Sequence, residues 1–399
     1  MMNLILFDEP AIRQNLLPFT FTRPVADIRV GILTIAEKWA HFAKQPVSFL
    51  TQRYLQAKFS DKTAAANIYV NGAVFPDEFL AADIAALTPG EALMHEGRLI
   101  ALNAGAEFFG LPEHLYDHEP ATRRELVQPH IVLQQPWEIF VFNAAQIRAD
   151  FKLVTAGRES QPVNDRHTIV YGEENIFIEE GVKIRAAVLN AESGPIYLGK
   201  NSEVQEGSLI KGPFALCEGS VVNMGAKMRG DTTVGPHSKV GGEISNSVLF
   251  AHSNKGHDGF LGNSVIGEWC NLGADTNTSN LKNNYADVKL WSHAQGGFKN
   301  TGLQFCGLMM GDHSKCGINT MFNTGTVTGV SANIFGSGFP RNFIPSFAWG
   351  GVSGFETYQL RKVFEVAEKV MARRGKVLDQ TEKDILTHVF EETAASRNF

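Results

Sequence analysis

The sequence is short of cysteine, tyrosine and charge. Of 399 residues only 4 are cysteine and 7 tyrosine, against 28 phenylalanines and 38 glycines. Cys217, Cys270, Cys306 and Cys316 have no C-x-x-C spacing, which removes zinc-ribbon and dithiol-redox readings and leaves reduced thiols. No apolar run is long enough to span a bilayer. The opening Met1–Asp8 has a short apolar run with no basic residue before it, so no signal peptide is read and a cytoplasmic location is expected. Lysine and arginine number 36 against 42 acidic residues, a net charge of -6. That excludes a nucleic-acid-binding surface over the whole molecule, though not a local basic pocket. With 44% hydrophobic residues the chain is globular, and its length calls for two or three domains.

What is abundant is periodic. Leu198, Val204, Ile210, Leu216, Val222, Met228, Val234 and Val240 are apolar residues six apart without a miss. Four places after the first seven come Ser202, Ser208, Phe214, Ser220, Ala226, Thr232 and Ser238, all small except one. The phase is lost at Asn246, and related phases return at Phe260, Ile266 and Leu272 and again from Met310 to Ile334. Glycine often follows the apolar position, as at Gly199, Gly235, Gly273 and Gly329, where it is expected to supply corner backbone angles. Six matches neither the 3.6 of a helix nor the 2 of a free strand. It matches a short strand plus a corner, with one large and one small residue inward, and such units must stack to bury that face. The sequence predicts a parallel β-helix.

The breaks in the repeat are expected to be loops extruded from the solenoid, one at Asn246–Gly259 and one from Asn280 to about Gly302, and to carry function. The hexads resemble those of hexapeptide-repeat acyltransferases, which implies a left-handed β-helix with three hexads per coil. The words Gly256-His257-x-x-Phe260-Leu261-Gly262 and Asn271-Leu-Gly-Ala274, continuing to Asn280, are more specific. They resemble the acetyltransferase half of bifunctional N-acetylglucosamine-1-phosphate uridylyltransferase/glucosamine-1-phosphate acetyltransferases, and archaeal sugar-1-phosphate nucleotidyltransferase/acetyltransferases. The resemblance implies acetyl-CoA as co-substrate, an amino-sugar 1-phosphate as acceptor and a homotrimer. It implies His257 as the catalytic base, needed because an ammonium must lose a proton before nitrogen attacks a thioester. It implies Arg229 and Asn271 as sugar-phosphate contacts, and Ala274 and Asn280, with the neighbouring Leu281 and Lys289, as acetyl-CoA contacts. Two positions depart from the pattern: the family's lysine twelve before the histidine is Ser245, and its tyrosine three after is Phe260. Lys255, Lys282 or Lys289 are the candidates to restore the missing charge in substrate binding. A rival resemblance, to γ-class carbonic anhydrases, rests on His237, His252 and His257 and would make them ligands of a hydrating metal ion. A third alternative is a non-catalytic nucleotide-sugar binder.

Residues 1–165 read as an α/β domain. Strands are predicted at Asn3–Phe7, Val47–Leu50 and Ile68–Val70, helices at Val30–Phe42 and Pro76–Leu87, and a hairpin turn at Glu96-Gly97. A further helix is expected near Asn143–Asp150, then a linker at Gly157–Asn164. The order of elements is similar to a divergent bacterial branch of the same bifunctional family, which implies a nucleotidyltransferase domain using an NTP, with Mg2+ where transfer occurs. The phosphate-binding loop is altered: Asp8-Glu9-Pro10 has no glycine, and Asn71-Gly72-Ala73 lacks a metal-binding carboxylate. Arg13, Arg23 and Arg29 are the candidate nucleotide-phosphate contacts, or else solvated surface charges. The β-helix domain is expected over 166–340, and 341–399 as a helical C-terminal cap with helices at Phe355–Arg373 and from Asp379.

Overall fold

The computed structural model describes residues 3–399, which form two compact units. The first unit comprises mainly residues 3–28 and Leu33–Gln135. It holds β1 (Asn3–Phe7), α1 (Pro10–Asn15), α2 (Ile35–Ala43), β2 (Ser48–Leu50), β3 (Asn67–Asn71), α3 (Glu78–Ala85), β4 (Glu91–His95), β5 (Arg98–Gly105), α4 (Pro112–Asp117) and β6 (Thr122–Glu125). These strands make one mixed sheet in the order β2-β1-β3-β5-β4-β6. Apolar Ile5, Phe7, Leu50 and Tyr69 form part of its core. The predicted hairpin is there: Glu96 and Gly97 both have positive φ, at 48° and 79°, the turn geometry whose twist suits paired strands. The predicted helix at Val30–Phe42 begins only at Ile35, where Thr34 and Glu37 form a reciprocal capping box. The preceding Arg29–Ile32 belongs to the second unit.

That second unit contains α5 (Glu138–Thr155), the β-helix and most of the C-terminal segment. The β-helix is triangular, with three parallel sheets as its faces. Face one runs from Ile169–Tyr171 to Phe260–Gly262, face two from Ile176–Ile178 to Phe343–Ile344, and face three from Lys183–Ile184 to Ala348–Gly351. The eight apolar residues of the unbroken repeat are all no more than 2% exposed and share one core. Between them the small residues are also buried, and several of their hydroxyls staple one coil to the next. Ser220 Oγ donates to Gly235 O at 2.7 Å and accepts from Ser238 N. Ser238 Oγ donates to Phe250 O at 2.8 Å and accepts from Ser253 N. Ser253 Oγ repeats the pattern with Gly267 O and Cys270 N. Ser238→Ala removes both bonds of this buried staple, so a loss of about 1–3 kcal/mol is expected, read as a lower urea midpoint.

Glycine follows the inward residue for a different reason than expected. Gly199, Gly235, Gly273 and Gly329 do not have positive φ. They are places where coils touch: a Cβ on Gly273 would lie 2.5 Å from the carbonyl carbon of Gly317, and one on Gly329 would lie 2.3 Å from Ser346 N. Many of the left-handed corner residues are instead Asn, Asp and aromatic side chains. His237, His252, Trp269 and His313 all have φ near +60° and stack in one column, with ring centroids 5.1, 4.1 and 6.4 Å apart in succession. Stacking of this kind offsets part of the backbone strain of each corner.

The two breaks in the repeat differ. Asn280–Gly302 does leave the coil, carrying an antiparallel hairpin of Lys289–Ser292 with Gly297–Asn300. Asn246–Gly259 does not: it is a coil with shortened corners whose strands Val248–Leu249 and Asn254–Lys255 remain in the faces. The phase shifts because residues are missing at corners, so the first expected loop is absent. At the C-terminus Gly354–Thr357 is a strand folded back on Ala348–Gly351, and α6 starts at Leu360 rather than Phe355. Helix α6 (Leu360–Ala372) and α7 (Gln380–Glu392) follow. No helix among the described residues is long and apolar enough to cross a membrane.

Candidate active site

His257 is exposed at the corner where face three turns into face one, between the strands Asn254–Lys255 and Phe260–Gly262. Its backbone is fixed from inside. Lys255 occupies the inward position of its strand, paired with Val240, and is 1% exposed. Its ammonium donates to the carbonyl oxygens of Gly241 (3.3 Å), His257 (2.5 Å) and Asp258 (2.9 Å). The expectation that Lys255 meets a substrate phosphate is therefore corrected: the side chain points into the β-helix and holds the histidine's corner. On the other side of the corner the chain passes so close to the next coil that a Cβ on Gly259 (φ +106°) would lie 2.2 Å from Thr276 O.

Burial pushes the Lys255 ammonium down to about 8, against the pull of Asp258 and Asp275. A lysine with a lower pKa folded than unfolded binds fewer protons in the folded state, so its contribution to stability rises with pH between about 8 and 10.5. Lys255→Met is expected to abolish that rise. Melting temperatures compared across this window check it.

The register of face three stacks Ala274 and then Ile318 on the same corner, beyond His257. Gly336 and Val352 continue the line. Ile318 and Val352 are 69% and 52% exposed, and the corner positions just before His257, Ala274 and Ile318 are the glycines Gly256, Gly273 and Gly317. The result is an apolar edge with little side-chain relief, leading from His257 toward the C-terminal coils.

Phe260 and Asn280 meet around Gly262, where an added Cβ would lie 2.6 Å from the Phe260 ring and 2.7 Å from Asn280 Nδ2. Asn280 Nδ2 donates to Asn263 Oδ1 at 2.8 Å, fixing the point where the extruded loop leaves. Leu281 bridges to Phe305 and closes the neck of that loop. Lys289 is exposed on the hairpin, and Lys282 donates to Asp287 O within the loop. Asn271 faces outward on face three beside Asn254, whereas Arg229 is on face one. Within one chain these two expected phosphate contacts are thus on different faces.

Arg229 is 64% exposed and pairs with Glu243 at 3.0 Å. It borders a cleft of about 580 Å³ whose other polar walls are Lys211, Lys227 and Asn190. Lys211 and Lys227 were not among the expected site residues. The signal was present, because three hexads make one coil and Lys211 is three hexads before Arg229.

The three histidines of the metal reading do not share an edge. His237 and His252 are in the stacked column between faces two and three, while His257 is at the corner between faces three and one. Burial pushes His252 down to about 4, which keeps its ring neutral within the stack. Among the described residues no group of three or more His, Cys, Asp or Glu could hold a metal ion.

In the first unit, the loop after β1 is occupied by α1, and Glu9 caps it with its own carboxylate, accepting from Ile12 N at 2.6 Å. An acid thus takes the amide that a phosphate would need. Asp8 is buried, its oxygens accepting from Val25 N (2.7 Å) and Thr51 Oγ1 (2.6 Å), with Arg13 at 3.6 Å. Burial raises its pKa, although Arg13 and these hydrogen bonds pull the other way. Arg13 also donates to Thr20 O and to the Tyr54 hydroxyl, and Arg23 pairs with Asp27 at 3.2 Å. Arg29 donates to Ile32 O and belongs to the second unit. All three arginines are buried, so none is the solvated charge that was the alternative, and each holds groups of the chain itself. Asn71 accepts from Ala73 N of its own turn and donates to Leu99 O on β5. With Asp8 and Asn71 so committed, these donors do not fit a magnesium ion.

Residues 4–159 match the family model described as sugar nucleotidyl transferase. This segment is nucleotidyltransferase-like. Within it, the segment after β1 is a short helix capped by its own Glu9. A bifunctional sugar-1-phosphate nucleotidylyltransferase/acetyltransferase of Sulfurisphaera tokodaii is 28% identical over 169 residues, 42% of this chain and 40% of that one. The bifunctional protein GlmU of Wolbachia pipientis is 26% identical over 185 residues, 38% of this chain and 43% of its own. The chain thus spans about two fifths of these relatives' lengths. Among solved structures, a UDP-N-acetylglucosamine acyltransferase of Arabidopsis is 13% identical, covering 58% of this chain and 93% of that one, with a TM-score of 0.24.

Proposed function

We propose that the second unit is an acyl-CoA-dependent N-acyltransferase acting on an amino-sugar phosphate, with His257 as general base. The observation that carries this reading is the position of His257 between two unlike surfaces. On one side is an exposed apolar edge through Ala274, Ile318 and Val352, suited to the long, largely apolar arm of an acyl-CoA. On the other is face one, with Phe260 beside the histidine and the cations Arg229, Lys227 and Lys211 on earlier coils. A thioester and an anionic acceptor would meet at the imidazole.

The neutral His257 takes a proton from the acceptor amine as nitrogen bonds to the thioester carbonyl carbon. Collapse of the tetrahedral intermediate breaks the C–S bond, and the proton passes to the departing thiolate. An amide and free CoA thiol result. Asn280, fixed by Asn263 next to Phe260, is suited to orient the acyl group. By resemblance we infer a homotrimer, and light scattering giving the mass of one chain would refute that part.

Supporting it are the similarity to bifunctional relatives, one of them named as an acetyltransferase, and the corner geometry. The test is CoA-thiol release from acetyl-CoA by metal-stripped protein with glucosamine 1-phosphate and other amino-sugar phosphates. Acceptor-dependent release is expected, and its absence with every such acceptor overturns the proposal. For the first unit we expect no magnesium-dependent pyrophosphate release from UTP or dTTP, because Glu9 and Asp8 fill the phosphate position. Pyrophosphate release would overturn that expectation.

A further inference from the structure

Face one is polar in a graded order that a sugar monophosphate does not use. Its strands pair in register, so its outward residues form two rows. From the His257 end, one row reads Phe260, Glu243, Lys227, Leu209, Val188, Ile169, and the other Gly262, Ser245, Arg229, Lys211, Asn190, Tyr171. The order along the face is therefore an aromatic residue beside the base, a strand carrying Ser245 and the carboxylate of Glu243, a cluster of three cations, and an apolar end carrying a tyrosine. Ile169, Tyr171 and Leu209 are 52%, 48% and 47% exposed.

Spacing decides what fits. Neighbouring strands are about 4.8 Å apart, so Arg229 and Lys227 are about 10 Å from the Phe260 strand, Lys211 about 14 Å and Tyr171 about 24 Å. In a 2-amino sugar 1-phosphate, four bonds of about 1.5 Å separate nitrogen from phosphorus, so its anion ends roughly 5 Å from the reacting atom. That anion is within reach of the Arg229 side chain but leaves Lys211 and the apolar end unused. A second phosphate and a nucleoside would cover both. The cleft charge, three cations less Glu243, suits a doubly charged anion of either kind, so length and not charge discriminates.

We propose that the acceptor is a nucleoside-diphosphate amino sugar, bound along face one with its amine at His257, its pyrophosphate at Arg229, Lys227 and Lys211, and its base against Tyr171 and Ile169. The charge that Ser245 lacks is then supplied from the far side of Arg229. This rests on the acyl-transfer reading, and the experiment separates the two. Thiol release from acetyl-CoA is measured with glucosamine 1-phosphate and with UDP- and dTDP-amino sugars, and binding of UDP and dTDP is titrated by calorimetry in the full chain. The expected result is a KM for a nucleotide amino sugar at least about tenfold below that for the monophosphate. Lys211→Ala and Tyr171→Ala each raise it about tenfold without changing the KM for acetyl-CoA. Equal use of the monophosphate, or no effect of these two substitutions, overturns the inference and leaves acyl transfer standing. Absence of thiol release with every acceptor defeats acyl transfer. In that case UDP or dTDP binding that weakens in Lys211→Ala still supports the face-one site, and absence of such binding overturns it.

Discussion

His257→Ala is expected to lower acceptor-dependent thiol release by about 10²–10⁴-fold, the range for loss of a positioned general base. The KM for acetyl-CoA and the melting temperature should stay near wild type. The reason is structural: the imidazole is exposed at a corner, while the backbone that presents it is held by the buried Lys255 ammonium, which the substitution leaves in place. The contrast with Lys255→Met is informative. That change leaves the imidazole present but frees the carbonyls of His257 and Asp258, so kcat should fall while the pH dependence of stability flattens. Wild-type rates in His257→Ala would remove the histidine from the mechanism.

Phe322→Ala is expected to have the largest effect on stability, about 3–5 kcal/mol, seen as a large drop in the denaturant midpoint. Phe322 is fully buried at an inward position of the repeat. Its removal leaves a void that the strand cannot readily close over, because its backbone is held in register with Asn277–Thr278 of the preceding coil. Ile318→Ala, four residues earlier on the exposed edge, should change stability by less than about 0.5 kcal/mol and instead raise the KM for the acyl donor. Equal destabilisation by the two substitutions would contradict the assignment of inward and outward positions.

The site was legible where chemistry is tied to the repeat. His257, Phe260, Ala274 and Asn280, singled out by resemblance and not by the period, lie on one corner or beside it. Lys255 was misread for the opposite reason. Its strand belongs to a coil shortened at the Gly241-Gly242 corner, so counting hexads from Val240 across the break made it look like part of a loop. A buried lysine is also an uncommon choice that only the three surrounding carbonyls make sense of. Lys211 was passed over because it is far from Arg229 in sequence and adjacent to it in space. The arginines of the first unit were read as surface or phosphate contacts, since nothing local reveals that Thr20, Tyr54, Asp27 and Ile32 take their donors.

By itself the sequence determined the β-helix, because a strict six-residue spacing of apolar and small side chains has one way to bury both. It also determined the α/β character of the first unit, while His257 became a candidate through resemblance. Tertiary structure decided the rest. It decided that the glycines after the inward residues serve close coil contact rather than backbone angle, since contact distance between coils is not written in any local run. It decided that a short helix capped by Glu9 fills the phosphate loop, because a capping bond depends on where the backbone turns. And it decided that Lys211, Lys227 and Arg229 form one cationic cleft, since only the registered pairing of successive coils brings side chains so distant in sequence onto a common face.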